Sequence, residues 1–108
     1  MDEAKKLLYV QTSGVNQPER LYSPFILAQT AKAMDIEPTL YFLGMGLTVL
    51  KEGEAQKIKM GAFPSLQEII EKTIGMGIPI YVCDQSKMML SGMYQDLKLI
   101  DGVKIVGA

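Results

Sequence analysis

Histidine and tryptophan are absent, and cysteine occurs once, as Cys83. Without histidine the common zinc ligand sets cannot be assembled within one chain, and Ser-His or Cys-His nucleophile pairs are excluded. A single cysteine rules out an internal disulfide. The net charge of −1 comes from scattered acidic and basic residues with no basic stripe, so nucleic acid is not an expected partner. No apolar run approaches membrane-spanning length, and Met1 to Lys6 lacks the apolar region of a secretory leader. A cytoplasmic protein with no membrane association is therefore expected.

What the chain has in quantity is apolar residues, 48% of its 108 positions. This suits a single domain spanning 1–108 with one packed core. A domain of this size also leaves apolar surface exposed, so an oligomer is expected.

Read in order, Leu7-Leu8-Tyr9-Val10 is a continuous apolar run that predicts a first strand, buried on both faces as in a parallel sheet. It ends at Gln11-Thr12-Ser13-Gly14, with Asn16 and Arg20 close behind. Thr12, Ser13, Gly14 and Asn16 could line the space above the sheet or bind an anion, although the loop has no full phosphate-binding fingerprint and suits an ordinary turn. Ser23-Pro24 predicts a helix start, capped by the serine and running to about Met34. Phe25, Leu27, Ala28, Ala31 and Met34 supply its inward face, with Gln29 and Lys32 outward. Asp35 to Pro38 breaks it, and Thr39 to Leu43 predicts the second strand.

Gly44-Met45-Gly46 follows at another strand end. A lone Gly-x-Gly is weak evidence for a dinucleotide and predicts a tight turn lining the cavity above the sheet. Leu47 to Lys51 predicts a short helix, and Glu54 to Gly61 reads as a connecting segment. Ser65-Leu66-Gln67-Glu68 has capping-box spacing, so a helix begins at Leu66, with Leu66, Ile69, Ile70 and Ile74 inward, and ends at Gly75-Met76-Gly77.

The stretch from Gly77 to Gly92 carries the chemistry. Ile78, Ile80, Tyr81 and Val82 form a β-branched and aromatic run that predicts a buried strand. Asp84 predicts a helix N-cap, with Gly92 as the stop. Cys83 then sits at the carboxyl end of a strand and the amino end of a helix, where open α/β sheets bind ligands and where the helix dipole favours thiolate. Lys87, one turn on, is expected to assist, and the Asp84 carboxylate to oppose. The same placement also fits a small buried structural hydrophobe. Tyr94 to Leu99 reads as a connector, Asp101-Gly102 as a turn and Val103 to Val106 as the last strand. The order of elements predicts an α/β fold, a three-layer α/β/α sandwich around a mostly parallel four- to five-stranded sheet.

The run Ile80-Tyr81-Val82-Cys83-x-x-Ser86, the helix end near Ser91-Gly92-Met93 and the closing segment Leu97 to Gly107 resemble the DsrE/DsrF-like family of small sulfur-relay proteins. The resemblance covers nearly the whole chain and is most specific in the last third. It implies that Cys83 accepts a persulfide sulfur and passes it to an acceptor thiol, without metal or organic cofactor. Backbone N–H groups of the helix opening at Asp84 and Gln85 would stabilise the anion, with Lys87 and the Ser86 hydroxyl assisting. It also implies sulfur-donor and sulfur-acceptor proteins as partners, and a homotrimer or an assembly of trimers. Some relatives lack the cysteine and serve as partner subunits, and many continue into a further helix beyond the position of Ala108, which would leave part of the sheet less covered. Two other readings are a non-catalytic scaffold subunit with a structural Cys83, and a small-anion or nucleotide-binding module using the two glycine-containing loops.

Overall fold

The computed structural model describes residues 5–91 and 98–107. Four parallel strands, β1 (Lys5–Gln11), β2 (Ile36–Phe42), β3 (Ile80–Cys83) and β4 (Val103–Val106), lie side by side in chain order. Helices α1 (Tyr22–Ala33), α2 (Leu66–Gly75) and α3 (Asp84–Ser91) follow the first three strands. This is the α/β fold around a parallel sheet that the element order predicts. Gly92 and the connector up to Leu97 lie outside the described residues.

Strand alternation sorts the sheet into two faces. Leu40 and Phe42 on β2 and Ile80 and Val82 on β3 are buried in the core with Phe25 and Ala28 of α1 and Leu66 and Ile70 of α2. Phe25 and Phe42 stack with ring centroids 5.6 Å apart. On the other face, Val10 pairs with Tyr41 and Tyr41 with Tyr81, and Cys83 is two residues beyond Tyr81. The carboxyl ends of β2 and β3 thus bring Tyr41 and Cys83 to one face as diagonal neighbours.

Several local expectations are corrected. The first strand is not buried on both faces: β1 is an edge strand, and Leu8 and Val10 are 61% and 53% exposed. Helix α1 begins at Tyr22, with Leu21 and not Ser23 before it. A 3-10 turn over Pro18–Arg20 leads directly into it, and the fully buried Leu21 and the buried Tyr22 outweigh a serine cap. Pro24 remains in the first turn, where its missing N–H costs no helical bond.

Leu27 and Met34 face solvent, whereas Gln29, expected outward, is half-buried between α1 and α2. Its Nε2 donates to Thr73 Oγ1 at 3.0 Å and to the Ile69 carbonyl at 3.3 Å. Strand β2 starts at Ile36 and includes Pro38. The Leu40 amide donates to the Pro79 carbonyl, so the Pro38 nitrogen, two residues earlier, points the same way but before β3 begins, and no ladder bond is lost.

Two readings hold closely. Ser65 caps α2, its hydroxyl accepting from the Glu68 amide at 3.4 Å. Residues 44–50 form a 3-10 helix buried from Gly46 onward, slightly earlier than the expected short helix. The connecting segment around Glu54 to Gly61 is fastened to α1 by Tyr22, whose hydroxyl donates to the Pro64 carbonyl at 2.8 Å and lies 3.3 Å from that of Ile58. The Tyr22 ring stacks on Phe63.

Candidate functional site

Cys83 is the last residue of β3, and α3 starts at once with Asp84. Cys83 therefore holds the cap position that the sequence assigns to Asp84. The Cys83 sulfur meets the backbone N–H groups of Ser86 and Gln85, the third and second helical residues, as an N-cap oxygen would. The strand places the thiol at the positive end of the helix, and the helix supplies the donors.

Ser86 contributes twice. It is buried at the α3 surface that packs on residues 44–50, and its Oγ accepts from the Gly44 amide at 2.8 Å. With that oxygen engaged as an acceptor, the hydroxyl proton is free to point to Cys83. Hydrogen bonds from the Ser86 hydroxyl and backbone, then from the Tyr41 hydroxyl, hold the Cys83 thiol below its ordinary value against the opposing effect of desolvation, with the Gln85 backbone adding to them. In its protonated form the thiol lies 3.5 Å from Gln85 Oε1 as a donor.

Tyr41 is the residue that sequence reading missed. Its hydroxyl oxygen is buried and has no hydrogen-bond partner of ordinary geometry among the described residues, and Cys83 on the neighbouring strand is the side chain that acts on it. Hydrogen bonding to Cys83, burial, and the charge of the thiolate push the Tyr41 hydroxyl above its ordinary value, so it keeps its proton. The signal was the position of Tyr41 near the carboxyl end of β2, but only the β2–β3 register turns that position into proximity.

The other expected site residues divide. Asp84 is exposed and Lys87 half-exposed, and neither contributes to the lowering of the Cys83 thiol. Gly44 joins the site through Ser86, and its φ of 58° is a backbone conformation suited to glycine. Met45 and Gly46 lock onto the β1 loop: a Cβ on Gly14 would collide with the Met45 carbonyl, and one on Gly46 with that of Gln11. Thr12 and Asn16 are exposed on that loop and Ser13 is half-buried.

Four of the loop amides that might cradle an anion are engaged. Gly44 N–H donates to Ser86, Gly46 N–H to Leu43, Val15 N–H to Thr48 Oγ1, and Gln17 N–H to Gly14. This packing disfavours the anion or nucleotide reading of the two loops. A separate cleft of about 540 Å³ between α2 and residues 100–101 is lined by Glu52, Glu71 and Asp101, which is equally unsuited to phosphate.

The family model for DsrE/DsrF-like proteins matches residues 5–108. The chain belongs to the DsrE/DsrF-like family. Among its relatives is the uncharacterized protein MJ0760 of Methanocaldococcus jannaschii, 29% identical over 103 residues. That alignment takes in 95% of this chain but 37% of MJ0760, so the chain spans little more than a third of the relative's length. The crystal structure of the ychN protein from E. coli is similar with a TM-score of 0.70 at 22% identity, over 97% of this chain and 86% of that one. The likeness to ychN bears on the fold, and within that DsrE/DsrF-like fold Cys83 takes the end of the third parallel strand. No helix among the described residues is long and apolar enough to cross a membrane.

Proposed function

We propose that this DsrE/DsrF-like protein is a cytoplasmic sulfur carrier that holds a persulfide on Cys83 and relays it to an acceptor thiol. The observation that carries the reading is the set of donors converging on one sulfur: the Ser86 hydroxyl and amide, the Tyr41 hydroxyl and the Gln85 amide. A structural cysteine needs none of these, since it packs as a small hydrophobe. A thiolate nucleophile and a thiolate leaving group are both stabilised by them. The Cys83 thiolate attacks the outer sulfur of a donor persulfide, a new S–S bond forms at Cys83, and the donor departs as its own thiolate.

One observation favours the scaffold reading: Cys83 is only 4% exposed. Association with other copies of the chain and with donor and acceptor proteins fits the exposed apolar residues of β1, in keeping with a trimer or an assembly of trimers.

The test is intact-mass analysis of wild type and Cys83→Ala after incubation with polysulfide or thiosulfate, before and after reduction. A carrier gains one sulfur, reducibly, in wild type only. If native wild type gains nothing while the denatured protein does, the thiol is sealed and the scaffold reading takes over.

A further inference from the structure

The Tyr41 hydroxyl has no structural bond to explain it. It is buried, it has no hydrogen-bond partner of ordinary geometry among the described residues, and β2–β3 pairing sets Tyr41 on the same face as Cys83, one diagonal step away. A buried hydroxyl without a partner is costly unless something occupies its donor position. The register leaves Cys83 as the neighbouring side chain able to take that position once its thiolate forms. We propose that the Tyr41 hydroxyl is a built-in hydrogen-bond donor for the sulfur chemistry at Cys83, stabilising the thiolate released when a carried sulfur departs.

The inference rests on the carrier reading and adds a residue and a step to it. In delivery, an acceptor thiolate R–S⁻ attacks the outer sulfur of Cys83–S–SH. The R–S bond forms as the bond to Sγ breaks, and that electron pair stays on Sγ as Cys83–S⁻, with R–S–SH as product. The proton remains on the transferred sulfur, and no oxidant or reductant is consumed. Sulfur exchange is faster when the departing thiol is more acidic, so a donor aimed at Sγ accelerates delivery. Because Tyr41 holds its proton more tightly than an ordinary tyrosine, it acts as a donor throughout and not as a base.

The charged and titratable groups near the sulfur are Tyr41 on β2, Tyr81 on β3, Asp84 and Lys87 on α3 and Lys104 on β4. Of these, only Tyr41 contributes to the lowered thiol. Removing its oxygen therefore has a signature in pH. A less acidic thiol is less ionised at neutral pH, yet each thiolate that forms is the stronger nucleophile.

The experiment compares wild type, Tyr41→Phe and, as a control on the same sheet face, Tyr81→Phe. Thiolate absorbance is titrated, alkylation by iodoacetamide is followed from neutral to alkaline pH, and polysulfide-loaded protein is mixed with dithiothreitol while intact mass reports sulfur loss. For Tyr41→Phe we expect a higher titration midpoint and alkylation that is slower at neutral pH but equal to or faster than wild type at alkaline pH. Sulfur delivery should slow roughly threefold to tenfold, part of the full effect of a charge-assisted hydrogen bond because the charge on Sγ is only partly developed as the S–S bond breaks. Tyr81→Phe should match wild type. A damaged fold would alter alkylation at every pH without the crossing. An unchanged midpoint and delivery rate in Tyr41→Phe overturn the proposal while leaving the carrier reading intact. If wild type takes up no sulfur, the delivery role falls with the carrier reading, and the titration alone still decides whether Tyr41 acts on the thiol.

Discussion

The Gly44 amide donates a 2.8 Å hydrogen bond to the Ser86 hydroxyl oxygen, joining the loop after β2 to the first turn of α3, the helix that Cys83 precedes. The bond fixes the orientation of a group that would otherwise rotate. Ser86→Ala should therefore act on both stability and chemistry. Loss of the bond leaves the Gly44 amide without that partner, at a cost of about 1–2 kcal/mol in urea denaturation. The midpoint of the thiolate absorbance titration should move upward. A variant with unchanged titration would mean that Ser86 is purely structural.

Ionisation of Cys83 links stability to pH, and the sign follows from the direction of its shift. The native state favours the anion, so the unfolded chain holds the proton at pH values where the folded chain has lost it. Relative to Cys83→Ala, wild type should gain stability as pH rises. The gain is complete above the ordinary thiol range and disappears as pH falls through the lower native value. Tyr41 works in the opposite sense only at more alkaline pH: its stabilisation is present below the ordinary tyrosine range and is lost as pH rises through its higher native value. Urea titrations under reducing conditions from pH 6 to 9 isolate the Cys83 contribution; a pH-independent difference between the two proteins would contradict the lowered thiol.

Gly14→Ala should destabilise the protein by roughly 1–3 kcal/mol, because the new methyl meets the Met45 carbonyl and the Thr48 hydroxyl, two groups that cannot yield independently. Thr48 Oγ1 also donates to the Met45 carbonyl at 2.7 Å and accepts from the Val15 amide at 3.0 Å. Thermal unfolding measures the loss. Tolerance of alanine would show that the two loops can separate.

Leu8→Lys probes the exposed strand β1. In an isolated chain the change is at the surface and should alter stability by less than about 0.5 kcal/mol. If copies associate through this face, sedimentation should show wild type larger than one chain and the variant shifted toward a single chain. Identical sedimentation of the two would remove β1 from the contact.

Local chemistry explains which parts were legible in the sequence. The strand and helix around Cys83 could be read because β-branched residues, an abrupt change in polarity and an uninterrupted helical run agree over residues 78–91. The cap at Ser65 was legible for the same reason, since all its partners lie within four residues. The larger failures depend on residues distant in sequence. The exposure of Leu8 and Val10 follows from strand order, the inward turn of Gln29 from the α1–α2 contact, and the role of Tyr41 from a register between strands nearly forty residues apart. Lys87 was expected to matter because charge is visible in a sequence, whereas the donors that act on the thiol are hydroxyls and amides whose direction is set by folding.

Because Cys83 occupies the position of a helix cap, the sulfur proposed to carry the chemistry is also a structural fastening. Each chemical state of that atom changes how firmly the first turn of α3 is tied down. Amide hydrogen exchange at Gln85 and Ser86 thereby becomes a readout of ionisation and sulfur loading: slowest when the thiolate accepts both N–H groups, and faster when alkylation removes the charge. The opening of this helix is thereby tied to the charge on its sulfur.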